Sequence, residues 1–148
     1  PEEQLNADAS YDGPFGKVTW RLYHSTDRLG KVDFNEALGT RKQVTGYAWA
    51  QLETPQPVEV DFRWTSRNAA KVWLNGELLA ANEVYHSGGS FDQYRARGQL
   101  AQGMNHLLVK VCQNEQTQDW TKNWDVQLRI CDDLGTPLPS VIAKRADD

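Results

Sequence analysis

The sequence has few of the residues that usually mark a reactive or a charged binding site. It contains two cysteines, three histidines and one methionine, and 16 Lys and Arg against 20 Asp and Glu. The resulting net charge of −4 argues against nucleic acid as a partner. No apolar run approaches the roughly 18 residues of a membrane-spanning helix, so we expect no membrane insertion. The first residues lack a signal-peptide pattern and an initiator Met, so we expect a processed product or a piece of a larger protein.

The two cysteines, Cys112 and Cys131, are not expected to form a disulfide. They lie on consecutive apolar runs, 106–112 and 124–131, which are joined by a polar loop. If these runs pair as an antiparallel hairpin, the thiols lie about 20 Å apart, since a strand rises by about 3.3 Å per residue. We therefore expect two free thiols, and cysteine usage does not fix the compartment.

Catalytic motifs are also absent from the sequence. It has neither a nucleophile elbow nor a Gly-rich loop that would hold a phosphate. The histidines, His24, His86 and His106, are not spaced as metal ligands. We therefore expect no enzyme activity from the isolated domain and no cofactor.

What the sequence does contain is alternation of apolar and polar residues with a period of two, as expected for β-strands with one buried face. Four runs show it clearly, and two more strands are predicted at 47–52 and 91–96. The pattern predicts seven or eight short strands and hence an all-β, antiparallel β-sandwich. The four clear runs are residues 18–22, 58–64, 107–112 and 126–131.

Two local signals fix turns. Asn75-Gly76 lies between short apolar runs and predicts a tight type I′ hairpin, with Trp73 opposite Leu78. The segment 33–38 predicts one helical turn, because Asp33 can cap its amino end and Gly39 can end it.

From Tyr47 onward, the order of these sequence signals resembles that of galactose-binding-domain-like modules, the class that includes many carbohydrate-binding modules and sugar-binding domains of glycoside hydrolases. The resemblance covers about the last hundred residues, with 18–22 as a candidate opening strand. The matching stretches are Val-Trp-Leu-Asn-Gly at 72–76, Leu-Ala-Gln-Gly-Met-Asn-His-Leu-Leu-Val-Lys-Val at 100–111, Trp-Asp-Val-Gln-Leu-Arg-Ile at 124–130 and Asp-Leu-Gly-Thr-Pro at 133–137.

The resemblance implies a jelly-roll sandwich that binds a polysaccharide or glycan. We expect one domain at 14–138, flanked by peripheral segments at 1–13 and 139–148. Modules of this class often hold a structural calcium ion, and oxygen ligands are present, but none has the dense spacing of a calcium loop, so no site is claimed. These oxygen ligands are Asp12, Asp27, Asp33, Asn35, Asp132 and Asp133.

Two loops are the leading candidates for ligand binding, because sugars are recognised by aromatic faces and by polar groups that bond hydroxyls. Residues 113–123 are polar around Trp120, which is either exposed for binding or buried by tertiary contacts. Residues 80–94 surround the sequence Ser-Gly-Gly-Ser and are either a mobile binding loop or an ordinary crossover. This second loop supplies Asn82, Tyr85, His86, Asp92 and Tyr94 as candidate ligand-binding residues.

The remaining tryptophans differ in their expected roles. Trp20, Trp64 and Trp124 share the inward parity of their strands and are expected in the core. Trp73 is expected to cover the outer face of its sheet. Trp49 is ambiguous: if Ala48 and Ala50 face a crowded interior, Tyr47 and Trp49 lie on an outer surface where a glycan chain can bind.

The sequence therefore favours a non-catalytic carbohydrate-binding module, an accessory domain attached to neighbouring domains of an extracellular or cell-envelope protein. The alternative is a structural or protein-interaction sandwich without a glycan ligand. That alternative requires most tryptophans to be buried and the exposed apolar area to form one patch.

Overall fold

The protein is an all-β domain. The computed structural model describes residues 1–144, and strands account for 48% of it against 6% for helices. The strands are β1 (Ser10–Gly13), β2 (Gly16–Thr19), β3 (Val32–Asp33), β4 (Val44–Thr54), β5 (Val58–Thr65), β6 (Ala70–Leu74), β7 (Glu77–Asn82), β8 (Tyr94–Leu100), β9 (Gly103–Gln113), β10 (Asp125–Cys131) and β11 (Ile142–Lys144).

Two antiparallel sheets enclose one apolar core, as in a β-sandwich. The four-stranded sheet has the order β3-β10-β5-β8, and the five-stranded sheet has the order β11-β4-β9-β6-β7. The inward side chains of both sheets belong to one cluster, in which Phe62, Trp64, Val72, Val111 and Trp124 are almost fully buried. Strands β1 and β2 form a separate hairpin.

The two local turn signals are confirmed. Strands β6 and β7 form a hairpin in which Trp73 is opposite Leu78 and Leu74 is opposite Glu77. Asn75 and Gly76 have φ values of 51° and 85°, the left-handed conformation that a type I′ turn requires. The short helix α1 (Phe34–Leu38) begins after Asp33, whose carboxylate accepts the backbone N–H groups of residues 35 and 36.

The expected pairing of runs 106–112 and 124–131 is wrong. Strand β9 pairs with β4 and β6, whereas β10 pairs with β3 and β5, so the two runs lie in different sheets. The loop between them crosses from one sheet to the other instead of closing a hairpin. Both Cys112 and Cys131 are free thiols, as expected, but they are separated by the core rather than by the length of a hairpin.

The expectation for residues 18–22 is also wrong. Strand β2 pairs only with β1 among the described strands, and Val18 and Leu22 are at least half exposed. Trp20 is half-buried and lies outside the core cluster, packed edge-on against Trp49. Alternation alone could not distinguish a strand of the sandwich from an outlying hairpin, since both have a period of two.

Two further boundaries differ from expectation. The strand predicted at 91–96 is β8 at Tyr94–Leu100, because Asp92 has a positive φ of 56° and residues 91–93 form a turn. In the tail predicted at 139–148, residues 142–144 form β11 and pair with β4. The rest of that tail, 145–148, lies outside the described residues.

Strand β4 has an unusual distribution of side-chain size, which positions the candidate site. Its small residues Gly46, Ala48 and Ala50 face the core, and its aromatic residues Tyr47 and Trp49 face outward. The reason is the packing of aromatic side chains from other parts of the chain against β4. The stacked rings of Phe34 and Trp124, 5.3 Å between centroids, occupy the space next to Gly46. A Cβ atom at position 46 would lie 2.5 Å from the Phe34 ring and 2.9 Å from the Trp124 ring.

We therefore expect Gly46→Ala to destabilise the fold by about 1–3 kcal/mol, because two buried rings would have to move. Chemical denaturation measures the change. Thr45→Ala, at the neighbouring position that faces away from the core, is the matched control and should change stability by less than about 0.5 kcal/mol. Equal stability of the Gly46→Ala variant and the wild type would contradict this account of β4.

Candidate functional site

Residues from the two candidate loops meet in the folded protein. The rings of Tyr85 and His86 lie 6.0 Å apart between centroids, and those of His86 and Trp120 lie 4.8 Å apart in an edge-on contact. Trp120 is 59% exposed and Tyr85 is 36% exposed, so the outer two rings are accessible. We call these three residues the ring row. Tyr85 and Trp120 are 35 positions apart in the sequence, and only the fold brings the three rings together.

Trp120 is exposed because its neighbours are anchored. It lies in a 3-10 turn, Asp119–Thr121, and the next residue, Thr121, is completely buried. The Thr121 hydroxyl donates to backbone carbonyls at 116 and 118, and the backbone carbonyl of Thr121 accepts from Lys42 Nζ at 2.8 Å. The buried Gln113 amide also donates to the Thr121 carbonyl, at 3.2 Å. The loop is therefore held from inside, which leaves the indole on a fixed outer surface.

The loop 83–93 is shaped by left-handed backbone conformations. His86 and Asp92, neither of them glycine, have φ values of 57° and 56°, and Gly88 and Gly89 between them also have positive φ. Such conformations cost free energy in a non-glycine residue and persist where the surroundings fix them. At His86 the surroundings include Asn114, whose side-chain amide lies 3.1 Å from Nε2 of the imidazole.

A groove of about 670 Å³ opens beside Tyr85. One wall is the β1–β2 hairpin with Tyr11 and Trp20, and the floor includes Tyr47 and Cys112 on the five-stranded sheet. Burial and the neighbouring Cys112 thiol raise the pKa of Tyr85, so its hydroxyl stays protonated and can donate at neutral pH. The groove therefore presents aromatic surface with hydroxyl donors at its edge, which suits a ligand with both apolar faces and hydroxyls.

The outward side chains of the five-stranded sheet continue this surface toward the Asn75-Gly76 turn. We call them the aromatic face. Cross-strand neighbours form successive rows: Thr45 with Cys112, then Tyr47 with Lys110 and Lys71, then Trp49 with Leu108, Trp73 and Leu78. The first and third rows are about 13 Å apart, since four residues of strand separate them. Trp49 also donates its indole N–H to Nδ1 of His106 at 3.1 Å.

The fold brings together only some of the predicted ligand-binding residues. Tyr85, His86 and Trp120 form the ring row, and Trp49 lies on the aromatic face beyond the groove. Asn82 ends β7 and pairs with Ala70. Tyr94 packs its ring on Trp64, 5.7 Å between centroids, and its hydroxyl bonds the Ser87 side chain.

Asp92 belongs to a charge network on the outer face of the four-stranded sheet. Its carboxylate accepts from Nε of Arg129 at 2.8 Å and lies 3.6 Å from Nη1 of Arg63. Hydrogen bonding from Arg129 and the charges of both arginines hold the pKa of Asp92 below its usual range. Next to it, Asp61 is 1% exposed and receives Arg63 and Arg95. The Asp92 carboxylate is therefore already paired with arginine side chains of the protein itself.

Sequence reasoning missed the contribution of residues 1–5 to this surface. Glu2 accepts from the Tyr47 hydroxyl at 2.6 Å and from Lys110 Nζ at 2.7 Å, so the segment crosses the aromatic face. Burial and the Glu2 carboxylate raise the pKa of Tyr47 to about 12. A polar segment without periodicity carries no signal for such a contact, because only the tertiary structure brings positions 2, 47 and 110 together.

Within residues 1–144, no group of three or more His, Cys, Asp or Glu side chains is arranged to hold a metal ion. The same part of the chain contains no helix long and apolar enough to cross a membrane. Comparisons of the chain with protein-family models, curated proteins and solved structures found no match.

We expect iodide to quench a minor fraction of the tryptophan fluorescence, and this fraction should come mainly from Trp120. Trp64, Trp73 and Trp124 are at most 7% exposed and should resist quenching. Trp120→Phe should therefore remove most of the accessible fraction, as measured by Stern–Volmer plots. Trp73→Phe is the control and should leave that fraction nearly unchanged. Equal accessible fractions in the wild type and Trp120→Phe would show that Trp120 is not the exposed indole.

A second prediction concerns Asp92, whose folded-state pKa lies below its unfolded value. Its stabilisation is therefore present above the unfolded pKa and is lost as the pH falls through the folded pKa. Asp92→Asn should lower the free energy of unfolding at pH 7 by about 1–3 kcal/mol, and the difference from wild type should shrink below about pH 4.

Urea denaturation at pH 7, 5 and 3 measures this difference. Asp133→Asn is the matched control, because Asp133 is exposed and only its backbone carbonyl contacts Arg63. A destabilisation by Asp92→Asn that is the same at pH 7 and pH 3 would argue against the ion pairs as its cause.

Proposed function

We propose that this protein is a non-catalytic carbohydrate-binding module, of the galactose-binding-like jelly-roll type, that serves as an accessory domain of a larger extracellular or cell-envelope protein. The observation that carries the proposal is the ring row of Tyr85, His86 and Trp120, of which Tyr85 also lines the aromatic groove. A glycan stacks its C–H faces on such rings, and Tyr and His side chains at the edges bond its hydroxyls.

The arrangement of polar groups supports binding rather than catalysis. The two carboxylates with the clearest guanidinium partners, Asp61 and Asp92, lie on the other sheet and hold arginines. The groove itself is lined mainly by tyrosine, tryptophan, small and aliphatic side chains. We therefore propose that the groove holds a sugar chain and that any catalytic activity lies in neighbouring domains of the parent protein.

A second candidate function is a structural or protein-interaction domain. Phe15, Val18, Leu22 and Leu29 are each at least half exposed in the N-terminal part of the chain, as expected if another domain covers them. This alternative also fits the burial of Trp64, Trp73 and Trp124. The two functions differ in what Trp120 contacts: a carbohydrate-binding module stacks it on a sugar ring, whereas an interaction domain buries it against a protein partner.

A glycan array followed by affinity electrophoresis tests the proposal. On the polysaccharide that is retained most strongly, Trp120→Ala should weaken binding about fivefold, which corresponds to the loss of about 1 kcal/mol of ring contact. Phe91→Ala is the matched control, since Phe91 is also an exposed aromatic residue but stacks on Arg129 of the other sheet. Absence of retention on every polysaccharide at high protein concentration would overturn the proposal in favour of the structural alternative.

A further inference from the structure

Residues 1–5 lie across the aromatic face, and we call them the strap. Together with Trp49, Trp73, His106 and Leu108, the strap lines a groove of about 420 Å³. Pro1 also lines the larger groove beside Tyr85, so the two grooves adjoin at the strap. Trp73 is only 7% exposed although its side chain faces out of the sandwich, so this outer surface is largely covered.

The strap is held by one carboxylate. The same oxygen of Glu2, Oε1, accepts both the Tyr47 hydroxyl and the Lys110 ammonium group. No backbone N–H or C=O of the strap takes part in a hydrogen bond anywhere in the described chain. The hydrogen bonds between the strap and the face beneath it are therefore made by the Glu2 carboxylate and not by the backbone of the strap.

The side chains that surround this carboxylate lie in two adjacent rows of the aromatic face. Lys110 and Lys71 are directly opposite each other on β9 and β6, and Lys110 Nζ lies 5.8 Å from the centre of the Tyr47 ring. The indoles of Trp49 and Trp73 flank Leu108 in the next row. If Glu2 left, Lys110 would lose its only anionic partner among the ion pairs of the described residues.

A cation and a hydroxyl that converge on one carboxylate, beside two indole rings, match the chemistry of a uronic acid. Such a sugar offers a carboxylate at one edge of a ring with C–H-rich faces. The strap makes no backbone hydrogen bond to this face, so its contact with the face consists of the Glu2 carboxylate and side-chain packing. A uronic acid offers the same carboxylate beside a C–H face, so it can replace these contacts without any backbone.

We propose that the strap is an internal occupant of a uronic-acid subsite, and that an acidic glycan displaces it by placing its own carboxylate between Tyr47 and Lys110. The proposal rests on the glycan binding proposed above and specifies the class of sugar. The exchange replaces one carboxylate by another, so the Lys110 charge is paired in both states. The apparent affinity is reduced by the fraction of molecules in which the strap occupies the subsite.

Two substitutions at the same ion pair separate this role from a purely structural one. Glu2→Gln weakens the strap and leaves the subsite intact, so it should raise the affinity for an acidic glycan by about tenfold, if one charged hydrogen bond is lost. Lys110→Gln also weakens the binding of the strap, but it removes the ammonium group that would bind the ligand's carboxylate. It should therefore lower that affinity by about tenfold or more. A structural ion pair would respond to both substitutions in the same direction.

Isothermal titration at low salt with trigalacturonate measures both effects. The fully methyl-esterified trigalacturonate is the matched ligand, because it keeps the sugar rings and removes the charge. Arg28→Gln is the matched protein control, since Arg28 is exposed and forms no ion pair with another described residue. Thermal unfolding of each variant verifies that it is folded.

Preference for the acid over the ester, with opposite changes in Glu2→Gln and Lys110→Gln, would support the proposal. Equal binding of acid and ester, or changes in the same direction, would overturn it. Tighter binding of the free peptide Pro-Glu-Glu-Gln-Leu than of trigalacturonate to Glu2→Gln would also overturn it, in favour of a peptide ligand. If neutral glycans bind through Trp120 while these tests fail, only the uronic-acid subsite falls, whereas failure of all glycans removes the proposed function as well.

Discussion

The arrangement of both grooves depends on the packing between β4 and the stacked pair Phe34 and Trp124. These two rings fill the core next to Gly46, so β4 has no room for an inward side chain at that position. Because side chains alternate strictly along a strand, its large residues Tyr47 and Trp49 must then lie outside. The helix α1 supplies Phe34 and the residue just before β10 is Trp124, so these two positions determine which surface of the protein is aromatic.

The two outer surfaces of the sandwich differ in chemistry as a result. The five-stranded sheet presents rings, hydroxyls and two lysines, whereas the four-stranded sheet presents arginines that converge on Asp61 and Asp92. On Asp61, desolvation raises the pKa and the hydrogen bonds from Arg63 and Arg95 lower it, with a net lowering. A carboxylate buried beneath guanidinium groups stabilises the sheet only while all partners stay in place. The four-stranded sheet is therefore covered by ion pairs within the protein, whereas the five-stranded sheet has aromatic side chains on its outer face.

The features that sequence reasoning predicted are those determined by neighbours in the chain. Asn75-Gly76, the Asp33 cap and the parity of β5 and β10 all follow from local geometry, and each could be read without knowing the fold. The partners of β9 and β10 could not, because a strand run does not specify which sheet it joins. The prediction of a sandwich strand at 18–22 failed for the same reason. Apolar and polar residues do alternate there, yet the strand pairs with β1 and leaves Val18 exposed.

The candidate site shows the same difference between features that local sequence predicts and features that depend on tertiary structure. Trp120 and Tyr85 were recognised individually as aromatics in polar loops, but their contact through His86 depends on tertiary structure. The sequence gives no sign of the role of Glu2, since a carboxylate in a polar segment is ordinary until the fold places Tyr47 and Lys110 beside it.

The different exposure of the two thiols has a practical consequence. Cys131 is fully buried and burial raises its pKa, whereas Cys112 is partly accessible and lines the groove next to Tyr85. The native chain thus offers one preferred position for alkylation, where an attached fluorophore would report occupancy of the groove without any engineered residue.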